Sequence, residues 1–418
     1  TVIPQAANSF TNNGSTSSSY GLYSTGHLTM RGQGSGSFEA EGAAAQHKSV
    51  GIYIEDGDLF VEGSGISVSG RGGDSDVNAG IWCFDGDVTV ESGCSLEGTC
   101  ASATTSNGLV VYGKLTVKGG TVYGKGGDAN SSLSSSRGIS TGSVKSTSAN
   151  TSISGIAGSS TESTGIILWN SSSFAAGQMD AYAPTGQSEN SYGIMPASGL
   201  TVSGGTVTAQ GGTAAYTVAP AIADGFAAAV WYGQNKDAAD AAGEQPASDI
   251  AACYTQKYVH IETVPVYEIT LQPSGEGTVN ADKTQAKKGD VIHFAAAANA
   301  GYQVQEVTVY DREGTVYASF TVAEGTFVMP GCSVSIAAMF TPANNPDDNP
   351  SGDQPGSNPG GGEPGIPAPP EGDPSGDGPT EGPDTGDNSR PGLWLSMMLL
   401  AAIGMAASAI ILKKQRAT

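Results

Sequence analysis

Through the first half of the chain, apolar positions come in short alternating runs that return in phase. Each unit opens with Gly followed by an aliphatic residue: Gly21-Leu22, Gly51-Ile52, Gly80-Ile81, Gly108-Leu109, Gly138-Ile139, Gly165-Ile166 and Gly193-Ile194, at steps of 27 to 30 residues. A second alternation follows in most units, as in Leu28-Thr29-Met30, Leu59-Phe60-Val61, Val88-Thr89-Val90, Leu115-Thr116-Val117 and Leu200-Thr201-Val202. A third comes after it, as in Ile66-Ser67-Val68, Thr121-Val122-Tyr123 and Thr206-Val207-Thr208. Period-two alternation marks half-buried strands. Each unit therefore predicts three short strands, with glycines supplying positive-φ corners between them. One unit cannot bury its own apolar face, whereas stacked units bury a continuous column. The pattern predicts an all-β chain in which residues 1–212 form a parallel β-helix (β-solenoid) of about seven coils. An antiparallel β-sandwich of the same strands is the alternative. Units five and six, 138–192, are degenerate and Ser-rich, which predicts less regular coils. Residues 213–262 lose the period and turn Ala-rich, which predicts a cap and connector over the solenoid's open edge.

The pattern changes twice more. In 263–341, strand-like runs at Tyr267–Leu271, Asp290–Phe294, 304–310 and 334–340 alternate with turn signals such as Gly275-Glu276-Gly277 and Lys288-Gly289-Asp290, predicting a small β-rich module. Residues 342–390 repeat Pro, Gly and Asp without an aromatic residue. They bury too little apolar surface to fold and predict a disordered linker, extending to roughly 150 Å at most. An uncharged apolar run, 393–412, follows, then Lys413-Lys414-Gln415-Arg416. A helix of about 20 residues crosses a bilayer core of roughly 30 Å, and a basic stub stays on the cytoplasmic side. Residues 391–418 thus predict one transmembrane helix with a basic tail, and everything before it lies outside the cell.

Composition agrees with an external chain. The 418 residues include 61 Gly, only 14% are charged, and the formal net charge is −22. Nucleic acid is excluded as a partner, because phosphate binding needs clustered Lys and Arg. The chain opens Thr1-Val2-Ile3, and an external location implies a secretory signal upstream. The five cysteines, Cys83, Cys94, Cys100, Cys253 and Cys332, match no zinc spacing. Cys94 and Cys100 are close enough in sequence for a disulfide; the other reading makes all five packing residues.

Three resemblances follow from these residues. Pro383-Asp384-Thr385-Gly386-Asp387 before the apolar run resembles the LPxTG-type sorting signal of Gram-positive cell-wall proteins, with Gly382 where that family has Leu. The resemblance implies that a sortase cleaves Thr385–Gly386 and joins Thr385 to peptidoglycan. The repeat wording, above all Leu200-Thr201-Val202-Ser203-Gly204-Gly205-Thr206-Val207-Thr208-Ala209, resembles Gly-rich repeat regions of surface proteins from gut Firmicutes and Actinobacteria. Gly289-Asp290-Val291-Ile292, Gly301-Tyr302 and Phe327-Val328-Met329-Pro330 resemble the marks of a divergent InlB-type B-repeat, which implies a compact β module serving as stalk or spacer.

Candidate chemistry is sparse. Asp56-Gly57-Asp58 and Asp85-Gly86-Asp87 occupy equivalent places in the repeat, and stacked coils bring equivalent residues to about 4.8 Å. Four close carboxylates suit Ca²⁺; solvated Asp-Gly turns are the plainer reading, with Lys114 flanking the acidic pair. No other cofactor is expected. A polysaccharide lyase needs a basic residue beside its acidic substrate, yet Arg31, Arg71 and Arg137 fall in separate units. A hydrolase needs two carboxylates roughly 5–9.5 Å apart across a cleft, and any stacked pair meets that distance. The four histidines are scattered and no Ser/His/Asp set is apparent, so the chain is not expected to be an enzyme. Tyr53, Trp82, Tyr112 and Trp169 fall shortly after the opening Gly of their units. They form either an outward aromatic ladder that stacks on sugars or an inward core. The sequence as a whole predicts a cell-surface protein, anchored to the wall or membrane, whose solenoid head binds host or bacterial glycans or proteins. A passive stalk or shield is the alternative, and a polysaccharide-active β-helix enzyme the second.

Overall fold

The computed structural model describes residues 1–343 apart from 5–6, 13–16, 130–133, 185–189, 246–249 and 251–254. The predicted linker, sorting motif Pro383–Gly386, apolar run 393–412 and Cys253 lie outside the described residues. Among those described, no helix is long and apolar enough to cross a membrane.

The first unit is a β-solenoid of about seven turns. Successive coils pair in parallel register throughout, so the sandwich alternative does not apply. In the first run of each coil, Ile52, Ile81, Leu109, Ile139, Ile166 and Ile194 stack in register, and all are fully buried. In the third run, Phe38, Val68, Leu96, Val122, Ile153, Met179 and Val207 make a second such column, no member more than 2% exposed. Each coil lends one methyl-rich layer, and burial is complete only between neighbours.

The opening glycines have a different cause from the one their pattern suggests. Gly51, Gly80, Gly108 and Gly138 do not have positive φ; a Cβ on any of them would lie 2.1–2.2 Å from a backbone nitrogen of the coil's opposite wall. Gly70, Gly98, Gly124 and Gly155 face them, where a Cβ would come within 2.2–2.4 Å of a carbonyl oxygen. Two walls of the coil therefore touch backbone to backbone. Positive φ is used at other turns, such as Gly57 at φ 133°.

The Ser-rich coils keep their register, with one irregularity between Thr141 and Ser143. The serines serve a buried polar column that sequence reading missed. Ser19, Ser49, Asn78, Ser106, Ser136, Ser163 and Ser191 stack in register with no exposed surface. Ser49 Oγ donates to Ala43 O and accepts from Gly73 N, each at 2.8 Å. Ser106 Oγ likewise joins Ala101 O at 3.0 Å to Gly127 N at 2.7 Å. A hydroxyl donates and accepts at once, so one serine stitches two successive corners whose backbone groups would otherwise be buried unpaired.

The parallel stack ends where Tyr258–Leu271 pairs antiparallel with Gly205–Gln210 of the last full coil. Phe226–Gly233 pairs with the same strand, and the short helix Lys236–Ala242 is capped by Asn235, whose Oδ1 accepts from Ala238 N at 2.8 Å. The strand then runs on into a second β unit, pairing with Gln285–Lys287 and, in parallel, with Val334–Pro342. That unit has its own core, including Ile292, Phe294, Val307, Val309, Phe327, Met329 and Ile336. Its turn motif is locked to its aromatic motif: Gly289 N donates to Met329 O at 2.9 Å, and Met329 N to Asp290 O at 2.8 Å.

Candidate functional site

On the outside of the first runs, the position after the buried isoleucine column reads Tyr23, Tyr53, Trp82, Val110 and Ser140 from coil to coil. Tyr23 and Tyr53 stack with centroids 5.6 Å apart, Tyr20 tilts against Tyr53 at 5.1 Å, and Tyr53 meets Trp82 edge-on at 6.1 Å. Lys48 Nζ sits 4.6 Å from the Trp82 ring centroid, within cation–π range. Tyr53 is only 6% exposed, buried in an outer cluster with Val50, Ala79 and Val110. In the first coils the aromatics thus form a small second core on the outside of the solenoid.

In the fourth and fifth coils the column loses its bulk, which Ile167 restores in the sixth. Val110 is followed by Ser140, and two positions further on Tyr112 is followed by Gly142 before the next aromatic, Trp169. The result is a cleft of about 500 Å³ lined by the exposed Tyr112 and Trp169, the buried Ser140 and Gly142, and Trp82, Asn107 and Arg137. That volume lies within the range of about 300–1,000 Å³ usual for small-ligand sites. Asn107 and Arg137 precede the opening glycines Gly108 and Gly138, whereas Val110, Tyr112 and Ser140 follow them. Residues on both sides of the backbone-to-backbone contact therefore line one cleft.

Of the four aromatics singled out in the sequence, Trp82, Tyr112 and Trp169 line this cleft and Tyr53 does not. Tyr112 is 53% and Trp169 46% exposed. Trp169 Nε1 donates to Ser140 Oγ at 3.1 Å, which fixes the indole. Two buried polar atoms of the cleft residues have no hydrogen-bond partner among the described residues: Trp82 Nε1, a donor, and Asn107 Oδ1, an acceptor. Such an atom costs about 1–3 kcal/mol when left unpaired. Burial lowers the pKa of the Arg137 guanidinium, against the opposing pull of Glu162 and Tyr112. No lining residue among those described is a carboxylate, histidine or thiol. Neither Asn107 nor Arg137 was legible as a site residue, because each precedes its opening glycine whereas the aromatic residues follow theirs. A larger depression of about 630 Å³ lies over the three-stranded sheet of the second unit. Of its rings, Phe294 packs in that unit's core, which leaves the His293 imidazole as the exposed one.

The carboxylates do not converge. Asp58 Oδ1 accepts from Asp87 N at 2.8 Å, Asp87 Oδ1 from Lys114 N at 2.7 Å, and His27 Nδ1 from Asp58 N at 2.9 Å. The side chains of one coil cap the main chain of the next. Among the described residues, Asp56, Asp58, Asp85 and Asp87 included, no three His, Cys, Asp or Glu side chains are arranged to hold a metal ion. Cys83, Cys94, Cys100 and Cys332 are free thiols. Cys94 is buried with Sγ 3.6 Å from Gly63 O, while Cys100 Sγ lies 3.0 Å from Ser106 Oγ, so this pair forms no disulfide.

Residues 267–344 match the family described as the divergent InlB B-repeat domain. No curated protein and no solved structure matches the chain. A B-repeat match joined to a β-solenoid supports reading the chain as a repeat-containing protein of the extracellular surface type.

Proposed function

We propose that this is a surface-anchored binding protein, not an enzyme, whose solenoid head binds glycans in the cleft between Trp82, Tyr112 and Trp169. One observation carries the reading: three aromatic side chains from separate coils line a single concavity, and two of its lining residues, Trp82 and Asn107, hold buried polar atoms with no partner among the described residues. Sugars present apolar C–H faces that stack on exposed rings and hydroxyls that donate and accept. An occupant that shifts the covering side chains and pairs Trp82 Nε1 and Asn107 Oδ1 relieves the cost of leaving them unpaired. A passive stalk has no use for such a cost.

On a glycan array, the protein is expected to bind a limited set of sugars, and Trp169→Ala and Tyr112→Ala to remove that binding without loss of folding. A stable protein that binds nothing on the array would leave the passive stalk or shield as the function. Attachment is proposed through the C-terminal signal, with a sortase and peptidoglycan as partners and residues 393–412 in the membrane before cleavage. Mass spectrometry of the wall fraction is expected to find a peptide ending at Thr385 joined to peptidoglycan; recovery of intact 393–412 from the membrane fraction alone would argue against sortase cleavage.

A further inference from the structure

We infer that the cleft selects sugars bearing a carboxylate, and that Arg137 is the specificity-determining residue. The inference rests on the glycan-binding reading above and adds the class of sugar. Arg137 lines the cleft together with Tyr112, Trp169 and Asn107. Arg137 and Asn107 are paired residues of adjacent coils, so the arginine and the residue with the orphaned Oδ1 enter the cleft from neighbouring positions. Among the described residues, Arg137 makes no ion pair. The arginines of the other coils differ. Arg31 Nε donates to Glu62 at 2.7 Å, and Arg71 lies 4.0 Å from Glu41. Both are more than half exposed at the side chain, on the outer surface of their coils.

The acidic group that acts on Arg137 does so from a distance. Glu162, from the neighbouring coil, favours the charged guanidinium but does not reach it within ion-pair range, and desolvation outweighs it. The chain carries a net charge of −22 and only 18 Lys and Arg together. A half-buried arginine without a carboxylate partner is therefore conspicuous here. Its planar fork of donors matches a carboxylate in two parallel hydrogen bonds. A pyranose stacked on Trp169 or Tyr112 with its ring carboxylate toward Arg137 would satisfy the guanidinium. Its hydroxyls stay within the reach of Ser140 and Asn170, which also line the cleft. A neutral hexose makes the same stacking contact but leaves the charge unanswered.

Calorimetric titration of the full chain tests this with methyl β-glucuronide against methyl β-glucoside, N-acetylneuraminic acid, and glucose 6-sulfate. The expected result is at least about tenfold tighter binding of one of the carboxylated sugars than of the neutral glucoside, since a charged hydrogen bond contributes about 1.5–3 kcal/mol. Arg137→Gln is expected to erase that ratio while leaving weak neutral binding in place, and Arg137→Lys to restore only part of it. Thermal melting of both variants checks that they fold. Equal binding of acidic and neutral sugars, lost in Trp169→Ala, would overturn the carboxylate assignment and leave glycan binding standing. Preference for the sulfate over both carboxylates would also overturn it. No heat with any sugar, acidic or neutral, together with an empty glycan array, would remove both readings at once.

Discussion

The same outer groove is filled in the first three coils and open across the fourth and fifth, before Ile167 fills the column again in the sixth. In the filled part, Tyr20, Tyr23, Tyr53 and Trp82 touch one another in series, and Tyr53 is nearly inaccessible. In the open part, Val110, Ser140 and Gly142 take the equivalent ground, and Tyr112 and Trp169 stand at its edges about half exposed. The backbone path is shared, since the coils keep their register across the boundary. Three side-chain choices are enough to turn a stabilising aromatic stack into a cavity. A repeat scaffold therefore acquires a site by leaving bulk out of one column, without remodelling a loop.

The comparison can be broken at its foundation. Gly108→Val puts a branched side chain where even a Cβ would be 2.1 Å from Lys125 N. It is expected to cost about 3 kcal/mol or more and to damage filled and open parts alike, read as the loss of a single cooperative melt. Next in size, Tyr53→Ala is expected to destabilise by about 3 kcal/mol because it empties the outer cluster, while leaving sugar binding in place. Val110→Trp extends the filled column by one coil. Val110 is itself buried, so the added bulk is expected to cost about 1–3 kcal/mol, and to occupy the cleft and abolish binding. Trp169→Ala reverses the Tyr53→Ala pattern, with less than about 1 kcal/mol in chemical denaturation but loss of binding.

The solenoid was legible because its apolar columns are periodic. Ile52, Ile81 and Leu109 follow their glycines at a fixed offset, and burial of stacked methyl groups has one cheap solution. Several causes were not legible. Gly51 and its equivalents read as corner residues, yet they are required by a contact with a wall some twenty residues further along the chain. Ser106 and Ser136 read as solvent-facing or degenerate, yet they are fully buried and answer corner amides. Aromatic placement was legible but direction was not: Tyr53 follows its opening glycine by two residues and is buried among aromatic neighbours, whereas Trp169 follows its own by four and stands about half exposed. Arg137 carried no signal, since its meaning depends on what Ser140 and Gly142 omit.

The strand Tyr258–Leu271 belongs to two bodies at once, bonded first to the last coil and the cap, then to the second β unit. Interstrand hydrogen bonds of an antiparallel ladder lie across the strand. Tension along this strand therefore loads the rungs beside Gly205–Gln210 in shear, many together, instead of peeling them singly. The junction has the build of a tensile splint: a pull along this strand is carried by the covalent backbone and shared with the ladders on either side of it.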